Sequence, residues 1–143
     1  MTMTDWSKDI ADMHSKYGVN NWVYEKFTKD DLEKLTAFLE FRMSFLDEEL
    51  AETKLAIKNK DPEEIVDGLI DLCVVAIGTL DAFGVNANSA WNRVYEANMT
   101  KTVGVKASRP NVLGLPDLIK PDGWTAPSHL GNHGLLTGLF DKS

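Results

Sequence analysis

The sequence predicts an all-α fold, a helical bundle of about four main helices. Apolar residues recur at intervals of three and four along most of the first hundred positions. Helix start and stop signals separate these runs, and no segment alternates as a half-buried strand does.

Asp5 to Tyr17 reads as the first helix, with Ile10, Met13 and Tyr17 on one face and Gly18 as its stop. Thr28 is the expected N-cap of a long second helix from Lys29 to about Asn59. Leu32, Leu35, Leu39, Met43, Leu46, Leu50 and Ile57 recur along it at helical spacing. Asp61-Pro62 restarts the chain with an acidic cap and a proline at the first helical position. A third helix is therefore expected from Pro62 to about Phe83, ending at Gly84. Asn86 or Asn88 caps a fourth, which carries Trp91, Val94, Tyr95 and Asn98 along one side. Short connections make consecutive helices antiparallel neighbours. The helical body is expected to occupy residues 1–102. The tail, 103–143, holds six of the ten glycines and four of the five prolines. It is expected to be irregular, packing on the same domain or on a neighbouring subunit, with one last helical turn near Leu135 to Phe140.

A chain of 143 residues fits one domain, and 43% hydrophobic with 26% charged residues is the composition of a soluble protein. No apolar run reaches the roughly 18 residues of a membrane span; the longest, Leu69 to Leu80, is interrupted by Asp71. The N-terminus lacks the basic start and apolar stretch of a secretory signal. The single cysteine, Cys73, has no partner for an internal disulfide and reads as a small apolar core residue. The expected location is the cytoplasm. A net charge of -7 argues against a nucleic-acid duplex as partner, because phosphate backbones require a basic face. It admits a phosphate substrate where metal ions stand between the acids and the phosphates.

Two acidic segments stand out. In the second helix Glu48, Glu49 and Glu52 are three and four residues apart and share one surface. A solvated acidic face is the competing reading of this segment. In the third helix Asp67 and Asp71 are four apart, and Asp71 is set among Leu69, Ile70, Leu72, Val74 and Val75. A lone carboxylate in such a setting is costly unless it is paired or binds a metal; pairing with Arg42, Arg93 or a tyrosine is the alternative. At ~1.5 Å rise per residue, a tight hairpin around Lys60-Asp61-Pro62 puts the two sets of acids at similar heights on antiparallel helices. Oxygen-only ligands favour Mg²⁺ or Mn²⁺, and no His or Cys pair has zinc-ligand spacing. His14, His129 and His133 read as surface or packing residues. On the fourth helix Asn98 and Lys101 have the spacing to contact phosphate or a sugar hydroxyl; a capping amide and a surface lysine are the equal alternative.

The segments LDEELAE, VDGLIDLCVVAIGTLDAFGV and VYEANMTK, in this order, resemble the all-α nucleoside triphosphate pyrophosphohydrolases, a superfamily that includes MazG, the dimeric dUTPases and phosphoribosyl-ATP pyrophosphohydrolase. The likeness runs from about Asp5 to Lys101, resumes in IKPDGW (Ile119 to Trp124), and is strongest toward the short MazG-like and dUTPase-like bacterial and phage members. It implies a Mg²⁺-dependent hydrolysis of a (deoxy)nucleoside triphosphate to the monophosphate and pyrophosphate, by water attack at the α-phosphate. It implies Glu49 and Glu52 as metal ligands from the EExxE motif, with Glu48 orienting or deprotonating the water. The second motif, ExxD, places its aspartate on Asp71. Gly68 stands where its glutamate is expected, so Asp67 becomes the fourth ligand; a register pairing Glu64 with Asp67 is the second choice. Asn98 and Lys101 match the NxxK that contacts phosphate and sugar. The resemblance, together with an apolar third helix in a short chain, implies a homodimer or homotetramer. Two other functions are open. The departure at Gly68 suits a non-catalytic helical interaction module that has kept the fold. A phosphoribosyl-ATP pyrophosphohydrolase is the other, although the aromatic N-terminal region and the IKPDGW tail speak against it.

Overall fold

Asp5 begins the first helix, α1 (Trp6–Tyr17), by accepting a hydrogen bond from the Lys8 amide at 3.1 Å. The computed structural model describes residues 3–109, 112–114 and 117–140; the parts of the expected tail at 110–111, 115–116 and 141–143 lie outside them. Gly18, at φ 80°, ends α1 in the left-handed conformation and leads directly into α2 (Val19–Thr28). The buried face of α1 is Ile10 and His14, whereas Met13 is 45% and Tyr17 70% exposed. The expected Ile10–Met13–Tyr17 stripe is thus corrected. The i, i+4 pair turns toward α4, where the Nδ1–H of His14 donates to Asp81 Oδ2 at 2.8 Å. His14 is a buried, hydrogen-bonded residue.

The sequence reading assigns no helix to 19–28. Its signal is Val19, Val23 and Phe27 at i, i+4 and i+8, which α2 packs into the core. The next helix, α3 (Leu32–Lys58), starts later than expected. Its cap is Asp31, whose carboxylate accepts from the Lys34 amide at 3.3 Å. Thr28 instead donates its hydroxyl back to the Glu25 carbonyl, closing α2, and Asp30 turns the chain at φ 56°. At the far end Lys60 takes φ 55° and Asp61 caps α4 (Pro62–Ala82), with its carboxylate on the Glu64 amide. This hairpin makes α3 and α4 antiparallel neighbours along much of their length, as the Asp61-Pro62 signal implied.

The chain forms two compact units, Met1–Ala87 with His133–Ser143, and Asn88–Asn132. In the first, Val23, Leu35, Ala82, Phe83 and Leu139 make a core, with Phe27, Phe38 and Leu136 packed around it. Leu139 comes from the short α6 (Leu136–Phe140), held to the end of α4 by the Leu135 amide on the Phe83 carbonyl at 2.7 Å. Cys73 is only half-buried and lies outside this core, correcting its expected place. The second unit holds nearly all of α5 (Ala87–Met99) and two short antiparallel strands, β1 (Thr102–Gly104) and β2 (Asp117–Ile119). The strands correct the expectation that no strand is present. Three residues are too few to display a period of two, and their pairing is non-local. Trp91, Tyr95 and Asn98 on α5 are exposed. Among the described residues no single helix is long and apolar enough to cross a membrane.

Two glycines let α3 and α4 come close. A Cβ on Gly68 would sit 2.2 Å from Thr53 Oγ1 and 3.2 Å from Thr53 Cβ. A Cβ on Gly78 would sit 2.4 Å from an Arg42 guanidinium nitrogen and 3.2 Å from His14 Nε2. Thr53 is buried and its hydroxyl is already committed to the Glu49 carbonyl at 2.7 Å. Rotating that β-branched side chain only swaps a methyl group into the gap. Gly68→Ala should therefore cost about 1–3 kcal/mol by overpacking. Combining it with Thr53→Ala should recover part of that loss; urea melts of the two single variants and the double variant measure the coupling, and strict additivity would contradict the contact.

Candidate functional site

The α3–α4 crossing determines which acids meet. Glu49 sits one turn before Thr53, and Asp67 and Asp71 flank Gly68 on the facing helix. The close approach at Thr53 and Gly68 therefore brings these carboxyls together. Asp71 lies close enough to Glu49 and Asp67 for both to perturb its carboxyl. Glu49 and Asp71 are half-buried, while Glu48, Glu52 and Asp67 are exposed at the edge of the cluster.

The electrostatics follow from that placement. Burial pushes the Glu49 carboxyl above the usual carboxylate range, and the charges of Asp71, Glu52, Asp67 and Glu48 push it further in the same direction. Burial likewise raises Asp71. The charge of Asp67 and a hydrogen bond to it add to this, and a hydrogen bond from Glu49 opposes it. Glu64 is exposed in the first turn of α4, and it is not among the groups that shift either residue.

No cation relieves the cluster. Among the described residues none of Glu49, Asp67 and Asp71 forms an ion pair. Arg42, the expected alternative partner of Asp71, points elsewhere: its Nε donates to Thr79 Oγ1 and its Nη2 to the Val75 carbonyl, both at 3.1 Å. It lies seven residues from Glu49 along α3 and bonds α4 four to eight residues beyond Asp71. At ~1.5 Å per residue that is a separate layer of the same helix pair, shared with His14 and Asp81. Sequence reasoning missed this layer because its cross-helix partners are 33 to 67 positions apart, at no helical interval. Arg93 donates to the Ser128 and Leu130 carbonyls within the second unit.

The donor set suits a hard cation. Glu49 Oε2 is buried without a hydrogen-bond partner among the described residues, an expensive state for a carboxylate oxygen unless something else binds it. The surrounding donors are all carboxylate oxygens, which match Mg²⁺ or Mn²⁺. As they stand the carboxyls do not converge on one point: among the described residues no group of three or more His, Cys, Asp or Glu is disposed to ligate an ion. Asn98 and Lys101 belong to the second unit. Asn98 is exposed at the end of α5, and the Lys101 ammonium lies over the Trp124 ring, 5.1 Å from its centroid.

The family profile described as phosphoribosyl-ATP pyrophosphohydrolase matches residues 25–98, just over half of the chain. The matched stretch spans α3, α4 and nearly all of α5, and so contains Glu48, Glu49, Glu52, Asp67, Asp71 and Asn98. No curated protein and no solved structure matches significantly.

Raised carboxyl pKa values have a stability consequence of definite sign. The folded chain holds protons that the unfolded chain releases above the ordinary carboxylate pKa of about 4. The contribution of Glu49 and Asp71 is therefore most favourable below that pH and is lost as pH rises through their folded values. In EDTA, Asp71→Asn should be more stable than the parent chain at pH 7, and the gap should close as pH falls toward 4. Thermal melts across this range decide the matter; a variant less stable at pH 7 would contradict the carboxyl cluster.

Proposed function

The chain belongs to the phosphoribosyl-ATP pyrophosphohydrolase family and is a pyrophosphohydrolase, and from that premise we propose that it hydrolyses a (deoxy)nucleoside triphosphate to the monophosphate and pyrophosphate with Mg²⁺. One observation carries this reading: Glu49, Asp67 and Asp71 are held close together across two helices with no ion-pair partner among the described residues. A structure pays for such repulsion only weakly on an exposed helix face, but Glu49 and Asp71 are half-buried and one Glu49 oxygen is stranded.

In this proposal Glu49, Asp71 and Asp67 hold the metal, with Glu52 at the rim. When bound, Mg²⁺ supplies charge neutralisation of the phosphates and activation of water at neutral pH. Glu48 is exposed beside this cluster and is the residue proposed to take the water's proton. The water oxygen attacks the α-phosphorus, its proton passes to Glu48, and the bond from the α-phosphorus to the bridging oxygen breaks. Pyrophosphate leaves with the bridging oxygen and its electron pair. Lys101 neutralises charge on that leaving group, and Asn98 hydrogen-bonds phosphate or sugar.

Phosphoribosyl-ATP itself is the second substrate reading, and the family match is what favours it. It requires cleavage of the same α–β bond, so the proposed site chemistry is unchanged. A substrate panel containing deoxynucleoside triphosphates, ribonucleoside triphosphates and phosphoribosyl-ATP, assayed for pyrophosphate, separates the two.

A homodimer, or a homotetramer, completes the proposal. Leu50, Leu55 and Ile57 on α3 and Val66, Leu69 and Ile70 on α4 are all 44–64% exposed in one chain. So many large apolar side chains on adjacent helices exceed the scattered exposure of a monomer surface.

Pyrophosphate release should require Mg²⁺ or Mn²⁺, and Glu49→Ala or Asp71→Ala should lower kcat by about a hundredfold or more while helicity by circular dichroism is retained. Full turnover by either variant sinks the assignment. Light scattering at micromolar concentration should return twice or four times the chain mass; a pure monomer contradicts the assembly.

A further inference from the structure

On α3 an aromatic pair adjoins the acids. Phe41, Phe45, Glu48 and Glu52 follow one another at intervals of four, three and four residues, so they form one ridge of the helix. Glu49 lies beside that ridge, four residues beyond Phe45. The two rings meet as a tilted pair, their planes at 58° and their centroids 4.4 Å apart. At ~1.5 Å rise per residue, Phe45 lies about 6 Å and Phe41 about 12 Å along the helix axis from Glu49. Helical side chains lean toward the N-terminus, so Glu48 and Glu49 reach back over the turn that carries Phe45. All of these residues belong to the first unit.

Packing inside the unit does not account for these rings. Phe41 is 56% exposed and Phe45 is half-buried. Among the described residues neither belongs to the core around Leu35 and Phe83. The phenylalanine that α3 gives to that core is Phe38, whose ring lies 5.8 Å from that of Phe83. The pair therefore presents apolar surface to water directly beside a group of carboxyls, where a cationic or polar residue would be the stabilising neighbour. A planar, uncharged group laid on the rings removes apolar surface from water on both sides and adds no charge to the acids. A nucleobase is such a group, because every base has a π-face that stacks on an aromatic side chain. The spacing suits a nucleotide as well. A sugar separates the base from the α-phosphorus, and one to two helical turns separate the rings from Glu49.

We propose that Phe41 and Phe45 position the substrate by stacking its base, with the phosphates directed along α3 toward Glu49 and Asp71. This deepens the proposed function, and it rests on that reading for the identity of the ligand. Stacking strength grows with the area of the base, and a ring face does not read base edges. The platform therefore favours purine over pyrimidine nucleotides without a sharp choice between bases of one size.

The test is calorimetric titration of the full chain with Mg²⁺, using two probes. One is α,β-methylene deoxyadenosine triphosphate; the other is inorganic pyrophosphate, which has phosphates and no base. Phe41→Ala and Phe45→Ala should each weaken the nucleotide analogue about tenfold, the worth of one base–aromatic stack, and leave pyrophosphate within twofold. Phe45→Leu, apolar but without a ring, should lose as much as Phe45→Ala, and Phe45→Trp should keep the parent affinity. An analogue affinity within twofold of the parent in both alanine variants would overturn the assignment. So would an equal loss of both probes, which marks a structural role, or no binding of the analogue by the parent chain. A fall in mass by light scattering in Phe41→Ala, together with loss of both probes, would make the pair a contact between chains and equally overturn it. Hydrolysis of nucleotides with an unchanged KM in both alanine variants would remove the platform and leave the proposed function. Ring-dependent binding without hydrolysis of any nucleotide would remove the hydrolysis and leave the platform standing.

Discussion

The close approach of α3 to α4 at Thr53 and Gly68 is the contact on which the acidic site depends. A side chain at 68 would meet Thr53 Oγ1 at 2.2 Å, so the crossing is open only to glycine without rearrangement. Because the helices touch here, Glu49 on one side and Asp67 and Asp71 on the other are brought close enough to perturb one another. The same contact explains the departure from the ExxD pattern. A glutamate at 68 would have to occupy the volume of Thr53, and in the proposed site the preceding residue, Asp67, takes its place. What reads in sequence as a lost ligand is in space a packing requirement.

Bringing like charges together is costly, and the rest of the first unit supplies the compensation. One layer along the same helix pair, Arg42 ties α3 to α4 through Thr79 and Val75, and Gly78 makes room for its guanidinium. His14 and Asp81 tie α1 to α4 beside it. Beyond that layer the Val23–Leu35–Phe83–Leu139 core closes the end of the bundle. Stability is thus concentrated away from the acids, which is the division expected where function demands locally unfavourable electrostatics.

The apolar stripe of α3 shows how far periodicity reaches. Leu35 is fully buried, and Leu32, Leu39 and Leu46 are half-buried, but Leu50 and Ile57 on the same stripe are exposed. A hydrophobic repeat says that a surface wants covering; it does not say whether the cover comes from the same chain. The helix hairpin at Asp61-Pro62 was legible because it rests on local capping chemistry. The helix α2 was not read, because its three apolar positions are diluted by Asn, Tyr, Glu and Lys and it follows Gly18 without a loop. The pairing of β1 with β2 was invisible for the opposite reason: each strand is three residues long and finds its partner at a distance.

The sequence by itself determined the helices other than α2, the hairpin and the acids that face one another across it. These depend on intervals of three and four, on caps and on connection length, all local quantities. It did not disclose that Gly68 is the point of helix contact, that Arg42 bonds Thr79 and Val75 rather than Asp71, that His14 is buried on Asp81, or that Thr102 pairs with Ile119. Each of those joins residues from different elements, where neither period nor motif relates them. Tertiary structure decided them because only packing specifies which side chains share a volume, and which charges are left without a partner.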